Sequence, residues 1–536
     1  AMGREALFTN TTGADNVAVG SAALYTNAGS KNTAVGRSAM INSTTGVDNV
    51  SIGNITLAAN TTGNRNTAIG SESMNDNTTA DNNTAIGYAS LSKNTTGTSN
   101  TALGWAALEA NTTADNNVAV GHAAARSNTT GTRLIAIGYA ALDGQDTEND
   151  NIAIGYNAMT TNNAGGEQNV VVGNYAGDAI TSGDDNVGLG YAALGALNTG
   201  SANVAVGNYA LDAHTSGDYN TAVGYNALTT NTTASSNSAV GASALAANTT
   251  GDNNVALGRD ALAANTTGAS GTALGFNALT ANTTGSNNTA VGKEALITNT
   301  TAANHTAIGY YALKANTSGQ QNTAVGASAM VANTTGSENV GVGYFALDAN
   351  TTGASNVAVG WEAMTTNTTA SSNTAVGRKS MHDNTTGANG VAVGHTAMHN
   401  NTTGAGNTVV GAEALFTNTT GTENTVVGYS SNYSSTGNNN TTIGYNSHPS
   451  AADSANQITL GNANNDNLRC ADTSISTLSD SRDKTNVVDI PLGLSFLNTV
   501  RPVAFDWDTR DGSRVGKKDF GFIAQELLAA GNATDY

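Results

Sequence analysis

The sequence predicts an all-β chain: a repetitive parallel β-solenoid or β-roll of ~17-residue coils, followed by a small α+β C-terminal segment. Three observations carry this. A glycine returns at a near-constant interval. The residues just before it are Val, Ile, Leu or Thr, which favour strands. The composition suits a thin interior, with 62 Gly in 536 residues, 5% aromatic and 11% charged residues, and an apolar 39% made mostly of Ala, Val, Leu and Ile. A core of ordinary thickness needs larger side chains to fill it.

The repeat is almost literal. Residues 220–236 read NTAVGYNALTTNTTASS and residues 288–304 read NTAVGKEALITNTTAAN. The glycine closing each such unit falls at Gly20, Gly36, Gly53, Gly70, Gly87, Gly104, Gly121, Gly138 and Gly155. It continues at Gly173, Gly190, Gly207 and onward at that constant step to Gly428, with Gly444 and Gly461 last. Gly3 lies the same step before Gly20, so the chain begins inside a repeat and further chain is expected upstream. A period this short means a solenoid in which each unit touches only its neighbours. It is too short for a helix pair. Each unit is therefore read as one coil with two short strands, one on NTAVG and one around the following ALxx. About 27 coils at roughly 4.8 Å each would make a rod of about 130 Å.

Each column of the repeat has a physical task. The closing glycine allows a backbone conformation, or an approach, that a Cβ would block. Four residues later the chain is apolar (Leu211, Leu228, Leu245, Leu262, Met364, Met381, Met398, Leu415), and seven of the eight Met residues stand in this column. Seven after the glycine stands Asn (Asn60, Asn231, Asn418), which predicts a ladder of stacked amides at a turn. Both faces of the NTAVG strand are small or apolar, as at Ala222 and Val223. One face fills the coil; the other would be a long wet stripe in a monomer. Closed self-association removes it, so a homo-oligomer of side-by-side rods is expected.

Charge and composition also exclude classes. A net charge of −19 disfavours nucleic acid and anionic membrane as partners. No apolar run approaches the roughly 20 residues of a membrane-spanning helix. The opening AMGREALFTN lacks the pattern of a secretory leader, and the single cysteine, Cys470, excludes an internal disulfide.

The units NVAVG, NTAIG and NVALG, followed by Ala-Leu, resemble the YadA-like head repeats of trimeric autotransporter adhesins. That resemblance implies a parallel homotrimer of left-handed β-rolls. The period here is longer than is typical of those heads.

The array weakens toward its end. The Leu/Met column fails at Asn432, His448 and Asn465, and all three prolines (Pro449, Pro491, Pro502) follow. Larger apolar residues, Trp507 and the helical spacing of FIAQELLAA mark a second domain. The expected division is residues 1–428 for the shaft, 429–478 for degenerate coils and a neck, and 479–536 for the C-terminal domain. The stretches SDSRDK, LNTVRPVAFDW and GFIAQEL, in that order, resemble the endosialidase-type intramolecular chaperone at the C-termini of bacteriophage tail fibres and tailspikes. Such a domain trimerises, guides fibre assembly and cuts itself off. Carried over, the resemblance makes Ser479 the nucleophile, Lys484 its base, and Leu478–Ser479 the scissile bond. It covers only Ser479 to Tyr536, and the family's chaperone normally runs on, so this copy is expected to be truncated.

Other features carry blander readings. The NTT triplets are formal glycosylation sequons, and the amide ladder explains them better. Aromatics just after the glycine (Tyr88, Trp105, Tyr156, Tyr225, Phe276, Tyr310, Tyr344, Trp361) suit a covered surface or subunit seam more than sugar stacking. Thr rows flank a turn, which argues against ice binding. The seven His residues (His122, His214, His305, His382, His395, His399, His448) form no single column, so neither a metal nor another cofactor is expected. Scattered Asp and Glu read as solvated surface, and no activity on an external substrate is expected beyond autoproteolysis. The whole reads as a structural, adhesive trimeric fibre. The first reading is an extracellular phage tail fibre shaft, with itself, a tail or baseplate, and a host-surface glycan or protein as partners. The alternative is a bacterial trimeric adhesin or surface filament, glycosylated or not.

Overall fold

The computed structural model describes residues 1–144, 146–161, 165–465, 496, 500–506 and 518–532. It divides into two compact units, Ala1–Asn465 and Asp466–Tyr536.

The first unit is a parallel β-solenoid with 27 three-residue strands, from β1 (Val17–Val19) to β27 (Ile458–Leu460). Each strand pairs in parallel register with the next, as in Thr221↔Ser238, Ala222↔Ala239 and Val223↔Val240. The middle residue is buried and its two neighbours point outward, so alternation places one small side chain per strand inside.

There is one strand per coil, not the expected two. The ALxx segment is a turn, because the backbone is left-handed at two of its positions: φ is 56° at Asn226 and 51° at Leu228. An extended strand cannot contain such residues. At a residue such as Leu228 this costs about 1–2 kcal/mol, and less at Asn226. Inter-coil hydrogen bonds offset that cost: the Asn226 amide donates to the Asn208 carbonyl at 3.1 Å, and the Leu228 amide to the Ala244 carbonyl at 3.0 Å. Leu228 and Ala227 are fully buried. The rest of the coil runs with a period of three, burying Asn231, Ala234 and Asn237 and leaving the pairs between them toward solvent.

The two glycine columns differ in kind. Gly224 has φ of 141°, and a Cβ there would lie 2.5 Å from the carbonyl oxygen of Gly241. Both constraints demand glycine, and the column from Gly3 to Gly461 contains nothing else. Ten residues after the closing glycine, Gly251 shares its column with Ala234, Ala302 and Ala370, which are buried and in place. Without a left-handed φ, the backbone there yields to a methyl group.

The core is one layer of Ala, Ala and Leu or Met per coil, edged by asparagine. The expected amide ladder is present: Nδ2 of Asn77 donates to Oδ1 of Asn60 at 3.0 Å, and Asn418 to Asn401 at 2.9 Å, each also donating to a carbonyl three residues on. A second ladder was not anticipated. Asn four before the glycine (Asn49, Asn66, Asn83) is fully buried; its Oδ1 accepts the backbone N–H of the next Asn in the column at 2.9 Å. Its Nδ2 donates to a carbonyl 14 residues on. Thr hydroxyls form a third row, as Thr78 to the Thr95 carbonyl at 3.0 Å. The sequon asparagines are thus the ladder itself. Asn60, Asn231 and Asn418 are 0% exposed, and a sugar on any of them would break the stack.

Three coils break the period: those from Gly20 to Gly36 and from Gly428 to Gly444 are a residue short, and that from Gly155 to Gly173 is a residue long. Beside the long coil lies Glu148. It does not belong to the solvated surface expected for the acids: it is 3% exposed and its carboxylate accepts the N–H groups of Asp146, Thr147 and Gly165 at 2.9–3.0 Å. At the other end, Asn432 takes the Leu/Met position, and neither atom of its side-chain amide has a partner among the described residues.

Two histidines replace ladder asparagines. His305 is buried, with Nδ1 accepting the Asn322 amide at 3.2 Å. Burial disfavours its imidazolium and pushes its pKa down to about 4; burial lowers that of His214 as well. The unfolded chain, with His near 6.5, therefore binds more protons between pH 6.5 and 4. The stability from neutral His305 is complete above pH 6.5 and is lost as pH falls toward 4, by ~3 kcal/mol. His305→Asn, which restores the ladder residue, is expected to flatten this part of the stability–pH curve. Amide hydrogen exchange of the coil around Asn322 at pH 7 and at pH 4.5 measures it; equal acid sensitivity in both proteins would contradict the assignment.

Candidate functional site

The strands place their end residues on one outer face. All 27 end in Val, Ile or Leu, so an aliphatic side chain recurs every coil along the whole stack. These residues are partly wet: Leu103 is 43% exposed and Leu257 46%. The first strand position is Thr, Val or Ile, with one Ser, which widens the stripe. In-register pairing forces this continuity, since each Val or Ile lies over the same position of the next strand. The expected wet apolar face is thus present.

Two residues beyond the strand end, past the obligatory glycine, stand the aromatics. Trp105, His122, Tyr139 and Tyr156 stack at centroid spacings of 4.5–5.0 Å, and Tyr191 and Tyr225 continue the row edge to face with Tyr175 and Tyr209, which stand one residue further along their coils. Further along, cations take ring faces, with Arg259 over Phe276 at 4.5 Å and Arg378 over Trp361 at 4.7 Å. The row flanks the aliphatic stripe along the coils.

A shallow cleft holds Asp178 and Asp212, two coils apart, with Tyr175 and Tyr191 on its wall. Gly195 lies between them, and the Asp212 carboxylate occupies the place its Cβ would take. Burial raises both carboxyl pKa values above the ordinary range. No base or nucleophile other than these acids and phenols lines the cleft.

In the second unit, β28 (Val503–Asp506) and β29 (Lys518–Gly521) pair antiparallel, and α1 (Ala524–Asn532) follows. The fold joins two of the motif stretches quoted above. Arg501, in LNTVRPVAFDW, makes a two-pronged ion pair with Glu526, in GFIAQEL, at 2.7 and 3.3 Å. That contact holds the Glu526 carboxyl below its ordinary range. Both groups are well exposed, so the pair orients more than it stabilises. Leu478, Ser479 and Lys484 lie outside the described residues.

Residues 479–535 match the family model described as chaperone of endosialidase. No curated protein and no solved structure matches the chain. Among the described residues, no helix is long and apolar enough to cross a membrane. The solenoid and the chaperone match together fit a self-associating, trimeric structural fibre.

Proposed function

We propose that the chain is the shaft of a bacteriophage tail fibre, a parallel homotrimer that presents or constitutes a host-surface binding element. The observation that carries this is the aliphatic stripe. A Val, Ile or Leu at every strand end, with a flanking aromatic row, leaves a surface that a single chain cannot dry. Three parallel copies around an axis cover the same stripe on each, and a closed ring leaves no stripe for further growth. In this reading residues 1–428 are the shaft, 429–478 the neck and 479–536 the chaperone segment, which brings three chains together and then cuts at Leu478–Ser479. The partners are the other two copies, a tail or baseplate, and a glycan or protein on the host surface. The place of action is the virion tail, outside the cell. The match at residues 479–535 supports the assembly step. The buried ladder asparagines favour an unglycosylated fibre.

Light scattering on the purified protein is expected to give three times the chain mass of 53.5 kDa. Asp at three consecutive strand ends, Val223→Asp, Val240→Asp and Leu257→Asp, is expected to lower it. A stable monomer in the unaltered protein would overturn the reading.

A further inference from the structure

The seven histidines occupy several columns, but two of them share one on successive coils. His382 and His399 both stand five residues after the closing glycine, and their rings stack at 4.9 Å with 6° between planes. Asp383 sits beside them. Its Oδ1 is 2.6 Å from His382 Nδ1, and its Oδ2 is 3.8 Å from His399 Nδ1. The three ligand atoms lie within 4.8 Å of one another. Each side chain is partly covered, with 21%, 38% and 20% exposed for His382, Asp383 and His399.

We propose that His382, Asp383 and His399 form a site for a divalent transition-metal ion of the zinc class, bridging two successive coils. Two imidazoles and one carboxylate are a common protein donor set for zinc, with a fourth position left for water. Imidazole donors select such ions over Ca²⁺ and Mg²⁺, which take oxygen ligands. The coil repeat supplies the spacing. Bonds of about 2.0–2.1 Å at a tetrahedral angle set two nitrogens about 3.3 Å apart, so the two stacked rings tilt toward each other to share one ion. The Asp383 carboxylate lies near both nitrogens, 2.6 Å from His382 Nδ1 and 3.8 Å from His399 Nδ1, and His399 Nδ1 exchanges its present acceptor, Asn400 Oδ1 at 2.6 Å, for the ion. In the free protein each Nδ1 donates its proton to the oxygen beside it. On binding, a neutral imidazole loses that proton to solvent and takes one at Nε2, so that Nδ1 is free for the ion and no net proton is released. If an imidazole is protonated, its second proton leaves to solvent.

A supporting group is already in position. Glu362 Oε2 lies 3.6 Å from His382 Nε2 and is held by Lys379 Nζ at 3.0 Å. A carboxylate that accepts the far N–H of a ligating imidazole fixes its tautomer and raises its donor strength. The sequence placed these residues only as scattered acids and histidines, because Glu362 and Lys379 meet His382 through stacking of coils.

Calorimetric titration of the chelator-stripped protein with ZnCl₂ tests this. The expected result is one Zn²⁺ per chain, and a Co²⁺-loaded protein with the visible absorption of four-coordinate cobalt. The double variant His382→Gln, His399→Gln keeps side-chain size at a partly exposed position and is expected to bind at least about a hundredfold more weakly and to lose the cobalt spectrum. Glu362→Gln is expected to weaken binding about tenfold, as outer-shell losses do. His122→Gln should bind as the unaltered protein does. Circular dichroism confirms that each variant is folded. Absence of Zn²⁺ binding, retention of it in the double variant, or equal heat with CaCl₂ would overturn the proposal.

Discussion

Ser479→Ala is expected to abolish scission of the Leu478–Ser479 bond completely. The expectation rests on the motif SDSRDK and on the match of residues 479–535 to the chaperone family. A serine hydroxyl is a weak nucleophile until a base takes its proton, and a lysine can serve only when neutral. Burial lowers a lysine pKa toward that state. In the proposed scheme assembly of three chains supplies the burial, so cutting waits for correct folding. Lys484→Ala should slow the reaction by ~10²–10⁴-fold, the ordinary worth of a positioned base. Lys484→Arg should do the same, because a guanidinium stays protonated. Intact-mass spectrometry of the full gene product and its three variants reads the outcome. An uncut parent, or a Ser479→Ala protein cut at the same bond, would leave the segment as a folding or capping domain without a dyad.

The second large effect is predicted for Leu228→Asp. Leu228 has no exposed surface and packs in a core one residue deep, among Ala222, Ala227 and Leu245. A carboxylate there has no cation to meet, and an uncompensated buried charge costs about 3–5 kcal/mol. The loss stays local, because each coil rests only on its neighbours. A new low-temperature transition is expected in thermal melting, with fast hydrogen exchange confined to the coils around residue 228. Leu228→Met should be nearly silent, since Met fills the same column at Met330, Met364, Met381 and Met398. Unchanged melting in the aspartate variant would place the column in solvent.

Side-chain chemistry that repeats in phase could be read from the sequence. Val223 and its equivalents announced a strand, Leu228 and Met364 an inward column, and Asn231 a ladder. Each claim needs only period and polarity. The turn at Asn226 and Leu228 could not be read this way. Asn tolerates a left-handed φ, but Leu usually avoids it, and at Leu228 it is held by bonds to the neighbouring coils. The second ladder was visible in principle: an Asn precedes nearly every strand, as at Asn220 and Asn237, and an amide so placed seldom serves propensity. Glu148 depends on which coil lies over which and on where the long interval falls. The pair His382 and His399 stands one period apart in a single column and was visible in principle. Nothing in the described residues bears on Ser479 and Lys484, so the dyad rests on motif and family match alone.

Strand registry has a further consequence. A solenoid of near-identical coils has a translational degeneracy: skipping one unit leaves every side chain in its proper column, so the usual penalty for misalignment vanishes. The two short coils and the long one lift it. A slipped chain would set the long coil against a partner with groups for an ordinary one, stranding amides on both. The marks at Gly20–Gly36, Gly155–Gly173 and Gly428–Gly444 sit near the start, in the first half and near the end. They give an otherwise uniform ruler its numerals. They would also index neighbouring copies against each other, where a stagger of one coil, about 4.8 Å, would otherwise go undetected.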